Sequence, residues 1–274
     1  MHFVEYSHRH ADAIISCNPL LTERYKQFID VLRNITDDQL ISDYLSKKEE
    51  HEKKGTAFKS MTPSINSLLK KRILDIPGWS AEVDIFNDSV GILGNTEWRL
   101  DFACDNAFCV EVAFNHGEAI AWNLLKPVLS CELNHVEKAV QGQVGIYVCA
   151  TDNLKKMANI DSASGSYEKV LRYLPPLMNQ LTIPMMIIGL EPFETFKINK
   201  DAQIVRANHV LDNSLLNRKV CITSSEDYNL CKGTVIEIKQ IDNDENKIQL
   251  MVQKSRNNIE IFTDDMIKFL EFID

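Results

Sequence analysis

Residues 98–116 read W-R-L-D-F-A-C-D-N-A-F-C-V-E-V-A-F-N-H, which is two short apolar segments joined by a polar turn. Their alternation and β-branched content predict one strand at residues 100–103 and a second at residues 108–114. Asp101 lies in the first predicted strand and Glu111 in the second. Because two adjacent strands can bring two carboxylates to one point, the pattern predicts a site for a hard cation, usually Mg²⁺.

The third member of such a site normally lies two residues after the glutamate, on the same face of the strand. Here that position is Ala113. Alanine has no group that could bind a metal or orient a water molecule. The sequence therefore predicts a metal-binding pair of carboxylates and leaves the third position open.

The composition is that of an ordinary globular protein, and 274 residues suffice for one sizeable domain with a small appendage. We expect no membrane span, because no apolar run approaches roughly 18 residues, and no signal peptide. Seven irregularly spaced cysteines indicate reduced thiols and a cytoplasmic location. The formal net charge of −9 does not favour nucleic acid as a partner, but an acidic protein can still line one cleft with lysine and arginine.

The order of segments predicts an α/β fold, with a mixed sheet flanked by helices. Nearly continuous apolar runs favour buried strands at residues 144–150 and 183–190. Prolines are expected to interrupt two of the helices, at Pro127 and at Pro175. Helical spacing of apolar residues is found at residues 18–32, 36–45, 64–74, 118–133 and 167–180.

Two segments of the first half are rich in lysine. The charge run at residues 46–59 favours a solvated helix or loop, with a DNA-facing arm as the alternative. Lys70, Lys71 and Arg72 make the end of the next helix the most basic part of this half. Lys70 and Lys71 are expected to be ordinary charges on the surface of this helix, and contact with DNA phosphates is the alternative.

The composition changes near Asn213. From residue 218 onward the chain has short β-rich segments separated by the turns D-N-D-E-N and R-N-N. This spacing predicts a small β-barrel similar to SH3 or Tudor modules. We therefore expect two domains, an α/β domain at residues 1–213 and a barrel at residues 214–274.

Several segments now indicate a family. Their residues and order along positions 5–200 resemble the BglII group of type II restriction endonucleases, within the PD-(D/E)XK nuclease fold. The C-terminal barrel has no counterpart in this resemblance. The segments that carry it are residues 6–8, 11–14, 18–20, 100–102, 110–112, 162–167, 183–190 and 193–195.

The resemblance implies a homodimeric, Mg²⁺-dependent enzyme that cuts both strands of a short palindromic site in double-stranded DNA. Asp101 and Glu111 would be catalytic and hold the metal, together with the backbone carbonyl of Val112. Asn115 and His116 follow the second strand, where the family places side chains that read base edges, and His116 is also a catalytic candidate. A second base-reading loop would contribute Ser162, Ser164 and Ser166.

Ala113 departs from the family pattern, which has a polar residue at this position. A side chain from elsewhere could fill the space, and His116, Lys126 and Glu97 are the candidates. The position could also have been altered to give an inactive protein, or the chain could bind DNA without cutting it. A type II restriction endonuclease is the leading hypothesis, and a catalytically impaired DNA-binding protein of the same fold is the alternative.

Overall fold

A computed structural model describes residues 1–87, 98–132 and 137–207, together with the backbone of short strands between residues 219 and 272. The chain divides into two compact units. The first consists of Met1–Phe193 and Ile198–Gln203, and the second of Glu194–Lys197 and Ile204–Asp274. The domain boundary predicted between residues 213 and 214 lies outside the described residues.

A six-stranded sheet forms the centre of the first unit. Its strands are β1 (Phe3–His8), β2 (Trp79–Asp84), β3 (Arg99–Cys104), β4 (Phe108–Ala113), β5 (Val144–Ala150) and β6 (Met185–Leu190). Their order across the sheet is β1-β6-β5-β4-β3-β2. Strands β4, β5 and β6 are parallel to one another, whereas the β1–β6, β2–β3 and β3–β4 pairs are antiparallel. The predicted mixed sheet is confirmed.

Seven α-helices accompany this sheet in the described part of the chain. They are α1 (Ala11–Cys17), α2 (Pro19–Asn34), α3 (Asp37–Lys53), α4 (Thr62–Leu74), α5 (Ile120–Cys131), α6 (Asp152–Met157) and α7 (Tyr167–Tyr173). None of the described helices combines the length and the apolar character that crossing a lipid bilayer would require.

The end of α3 and the interior of α5 bear on two details of the sequence prediction. Helix α3 begins at a capping box formed by Thr36 and Gln39 and continues through most of the charge run, to Lys53. Ion pairs between residues four apart, such as Lys53 with Glu49, explain why these charges support a helix. Helix α5 contains Pro127 without a break, so that predicted interruption is wrong. Its apolar residues are buried against the sheet, which offsets the lost backbone hydrogen bond.

The residues of β4 alternate between the two faces of the sheet. On one face Phe108 stacks against Trp79, which in turn stacks on Phe28 of α2. On the other face Cys109 and Ala113 belong to the core cluster that includes residues of α5 and α7. Glu111 lies between these two positions, and its side chain therefore faces α5.

The second unit is described by its backbone strands. They are β7 (Phe196–Ile198), β8 (Ile204–Arg206), β9 (Lys219–Cys221), β10 (Val235–Glu237), β11 (Gln240–Asp242), β12 (Lys247–Ser255), β13 (Asn258–Phe262) and β14 (Glu271–Phe272). Among them β10-β9-β14 and β11-β12-β13 form two antiparallel sheets of three strands. The predicted run of short strands is confirmed, whereas its closure into an SH3- or Tudor-like barrel stays a prediction.

Candidate active site

The structure brings the two predicted carboxylates together. The β3–β4 ladder ends at the pair Phe102–Val110, so Asp101 and Glu111 are the next residues to face each other across the strands. Side chains at directly opposed positions have Cβ atoms about 5 Å apart. The backbone N–H of Val112 donates a hydrogen bond of 2.7 Å to Oδ2 of Asp101. This bond fixes the Asp101 carboxylate at the point where the two strands part.

Burial makes this pair unfavourable as two free anions. Glu111 is only 3% exposed. Burial, and then the charge of Asp101, raise its pKa to about 9. Burial also raises the pKa of Asp101, against the opposing effect of the Val112 N–H. A cation between the carboxylates would relieve both effects, so the pair fits a divalent metal.

The backbone of Val112 could add a third oxygen. Its N–H points toward β3, and the N–H and C=O of one residue in an extended strand face the same edge. No third Asp, Glu, His or Cys side chain joins the pair within the described residues. A metal held here would therefore keep positions for water and for a phosphate oxygen, as Mg²⁺ commonly does.

Lys126 of α5 provides the one positive charge that contacts Glu111 in the described part of the chain. Its Nζ lies 2.9 Å from Oε1 of Glu111, and the two side chains are 14% and 4% exposed. Among the three candidates that the sequence offered for the space beside Ala113, Lys126 is the one that the structure joins to Glu111. The backbone of His116 pairs instead with Ser164, and Glu97 lies outside the described residues.

The two predicted base-reading loops also lie side by side. The N–H of Gly117 donates to the carbonyl of Ala163 at 2.8 Å, and the N–H of Gly165 donates to the carbonyl of Asn115 at 3.0 Å. Between these bonds His116 and Ser164 form an isolated antiparallel bridge. The loops after β4 and before α7 thus form one backbone-paired surface, which we call the paired loops (residues 115–117 and 162–166).

The polar residues of the paired loops differ in exposure. The side chains of Asn115, His116 and Ser162 are exposed, whereas Ser164 and Ser166 are buried. The hydroxyl of Ser166 accepts a hydrogen bond of 3.3 Å from the backbone of α7 and caps that helix. Ser166 therefore has a structural task in the free protein. Within the serine-rich loop, Ser162 has the exposed hydroxyl.

The two predicted phosphate-binding lysines lie on the last turns of α4. Both are exposed, and Nζ of Lys70 lies 3.0 Å from Oε1 of Glu82. Glu82 is a residue that the sequence analysis missed. It lies between Ala81 and Val83, which pair with Phe102 and Leu100 on either side of Asp101, but Glu82 and Asp101 themselves are not a pair of the ladder. Glu82 has a left-handed backbone with φ 55° and contributes to the raised pKa of Asp101. Nothing in the local sequence indicates that conformation.

Comparisons with known proteins agree with this architecture. A family model described as "Restriction endonuclease BglII/BglIII" matches residues 3–190. The crystal structure of restriction endonuclease BglII complexed with a DNA 16-mer is similar, with a TM-score of 0.50 and 17% sequence identity over 96% of this chain and 100% of that chain. The crystal structure of free BglII gives a TM-score of 0.41 and 14% identity over the same shares. No curated protein matches the chain.

Proposed function

Because the chain belongs to the BglII/BglIII family of restriction endonucleases, we propose that it hydrolyses both strands of a short palindromic DNA site with Mg²⁺ as cofactor. The observation that carries this proposal is the convergence of Asp101 and Glu111 at the end of the β3–β4 ladder. Two carboxylates that oppose each other in a buried position are unstable as anions unless a cation accompanies them. Hydrolysis of a phosphodiester uses such a cation.

Asp101, Glu111 and the carbonyl of Val112 would hold the metal. When bound, Mg²⁺ would activate a water molecule and stabilise negative charge on the phosphate. In the hydrolysis a water oxygen would bond to phosphorus while the bond from phosphorus to the 3′ oxygen breaks. The water would lose one proton and the leaving 3′ oxygen would gain one, so the products would be a 5′ phosphate and a 3′ hydroxyl. The carboxylates contribute by fixing the geometry of attack.

The exposed side chains of the paired loops are the proposed readers of the DNA sequence. Asn115, His116 and Ser162 offer amide, imidazole and hydroxyl groups, which can bind base edges in the major groove. Ser164 and Ser166 would contribute to DNA binding in two ways, by holding the shape of the loop and by offering hydroxyl groups. At the end of α4, Lys70 and Lys71 are the proposed phosphate contacts.

Cutting both strands of a palindrome requires two copies of the site. Each chain holds one Asp101–Glu111 pair, and a two-fold axis would relate two chains as it relates two half-sites. We therefore propose a homodimer. The cytoplasm, where DNA is within reach, is the proposed location.

The test is cleavage of phage DNA in Mg²⁺. We expect discrete bands from the parent and none from Asp101→Ala, because one of two metal-binding carboxylates is lost. Asp105→Ala is the matched control, since Asp105 lies exposed in the turn between the same strands. It should give the parental bands. A smear, or no cleavage at any concentration of Mg²⁺ or Mn²⁺, would contradict the proposal.

A second candidate is a protein of the same fold that binds its DNA site without cutting. Ala113 favours this candidate, because a buried methyl group stands at the position where the family resemblance implies a polar residue. Its signature would be tight, sequence-selective retention of a duplex with no cleavage. Recovery of cleavage in Ala113→Gln or Ala113→Lys would then identify a scaffold that lost its third catalytic group.

A further inference from the structure

We propose that Lys126 of helix α5 is a catalytic residue and replaces the polar group that Ala113 lacks. Its ammonium would donate hydrogen bonds to the attacking water and to the scissile phosphate. This inference rests on the proposed function, since it assigns a role within that hydrolysis. It identifies the third group of the site on a helix, whereas the sequence pattern places it on the strand.

The position of the Lys126 ammonium supports this role. Residues two apart in a strand project from the same face and lie about 7 Å apart, so Glu111 and Ala113 both face α5. Nζ of Lys126 lies 2.9 Å from Oε1 of Glu111 and therefore reaches this face from the helix above it. A side chain longer than alanine at position 113 would extend from the strand toward the space that the Lys126 ammonium occupies.

The chemistry of the ammonium also supports it. A lysine ammonium has three N–H donors, and the contact with Glu111 uses at most one of them in the described structure. The Lys126 side chain as a whole is 14% exposed, so it is not sealed from solvent as Glu111 is. Its remaining donors could bind a water molecule and a phosphate oxygen at the same time.

A purely structural ion pair explains the arrangement less well. Burying two charges is expensive, and apolar residues of similar size often stabilise a protein as much as a buried pair does. The sequence of α5, I-A-W-N-L-L-K-P-V-L-S-C, contains no charged residue other than Lys126. An apolar helix that keeps one largely buried lysine against the candidate metal ligand indicates a function for that charge.

Helix α5 is well fixed for this task. The side chain of Asn123, one turn before Lys126, donates a hydrogen bond of 2.9 Å to Oδ1 of Asn115. The first half of α5 is thereby tied to the loop that leaves β4. Leu124 and Val128 on the same helix are buried in the core cluster. These contacts limit the movement of the ammonium relative to Glu111, as a catalytic group requires.

Replacement of Lys126 by methionine tests the proposal, because methionine keeps the length of the side chain and removes its charge. We expect single-turnover cleavage at saturating Mg²⁺ to fall roughly 100- to 1,000-fold, the usual effect of losing one charge-stabilising donor. Retention of the DNA site without metal should stay within about threefold of the parent, since the paired loops are unchanged. Lys47→Met is the matched control, because Lys47 forms an ion pair with Asp43 on α3. It should cut like the parent.

A stricter test removes the lysine from the helix and places a lysine on the strand instead. The double variant Lys126→Met, Ala113→Lys brings an ammonium back to the face of Glu111, and we expect it to regain at least about tenfold in cleavage rate. If Lys126→Met melts early, Lys126→Gln replaces it, because the glutamine amide can still donate to Glu111. We expect the glutamine variant to melt near the parent and to show a comparable loss of cleavage.

The possible failures can be told apart. Cleavage within about threefold of the parent in Lys126→Met or Lys126→Gln would overturn the role of Lys126 and leave the proposed function intact. A loss of DNA retention as large as the loss of cleavage would also overturn it, because Lys126 would then act in DNA binding alone. No gain in the double variant would overturn it as well, because a positive charge at the face of Glu111 would then not be what cleavage requires. If the parent itself does not cut DNA, the proposed function fails first.

Discussion

Glu111 makes the stability of the metal-free protein depend on pH. Its pKa is raised from 4.5 to about 9, so between these values the folded chain keeps a proton that the unfolded chain releases. The stabilisation is complete below pH 4.5 and is lost as the pH rises through about 9. We expect the free energy of unfolding, measured by urea titration in a chelating buffer, to fall between pH 5 and pH 9 to an extent that depends on Glu111.

The variant Glu111→Gln serves as the comparison, because a neutral amide cannot release the proton. Its unfolding free energy should fall less across the same pH range. Equal slopes for Glu111→Gln and the parent would show that the buried carboxyl does not titrate in this way. Saturating Mg²⁺ should weaken the pH dependence of the parent at alkaline pH, because the metal stabilises the ionised form.

Some residues of the site could be predicted from the sequence and others could not. The position of Asp101 opposite Glu111 follows from strand alternation and from the short turn between the strands. Lys126 gives a detectable signal, a single charge in an otherwise uncharged helix, but only the fold shows that it contacts Glu111. Glu82 gives none, because its nearness to Asp101 depends on strand pairing and its left-handed backbone has no local signature.

Some helices and strands could likewise be predicted from the sequence, and others could not. Strands β4, β5 and β6 were predictable because parallel central strands are apolar on both faces. Strand β1 was not predicted, because it is an edge strand of mixed polarity whose partner β6 begins at Met185, far along the chain. The sequence predicts helix α3 only through Leu45 and a solvated helix or loop for the charge run after it, because this second half depends on ion pairs and has no strong apolar stripe.

The contact between α7 and β6 gives a prediction at the scale of elements. A Cβ atom added to Gly189 of β6 would lie 2.5 Å from Cγ of Tyr167 and 2.8 Å from its Cβ, at the start of α7. Because the Cβ of Tyr167 cannot swing away, α7 must shift. We expect Gly189→Ala to lower the free energy of unfolding by about 1–3 kcal/mol, as overpacking usually does, in urea titrations.

The same shift should disturb DNA selection, since α7 begins directly after the loop at residues 162–166. Double replacement of Gly189 by alanine and Tyr167 by glycine removes both the ring and its Cβ, and therefore removes the clash and provides the control. The double variant should differ less from Tyr167→Gly alone than Gly189→Ala differs from the parent. Additive losses in the double variant would show that the Tyr167 side chain does not limit the approach of α7.

At the scale of the whole molecule, the proposed homodimer predicts a dependence on concentration. The particle mass in solution should be twice the 31.3 kDa of one chain, as measured by light scattering. Below the dissociation constant of the dimer, the cleavage rate per chain should decline, because a single chain lacks the second site for the other strand. A monomeric mass at micromolar concentration, together with a rate per chain that is independent of dilution, would contradict the homodimer.

The backbone pairing of residues 115–117 with residues 162–166 has a consequence for how a protein of this kind could acquire a new target. Because His116 and Ser164 share one bridge, with a hydrogen bond on either side, an insertion in one loop would misalign the other. A change of DNA specificity should therefore require that residues 115–117 and residues 162–166 are exchanged together. Grafting only one of them from a relative should yield a weak binder with no defined target.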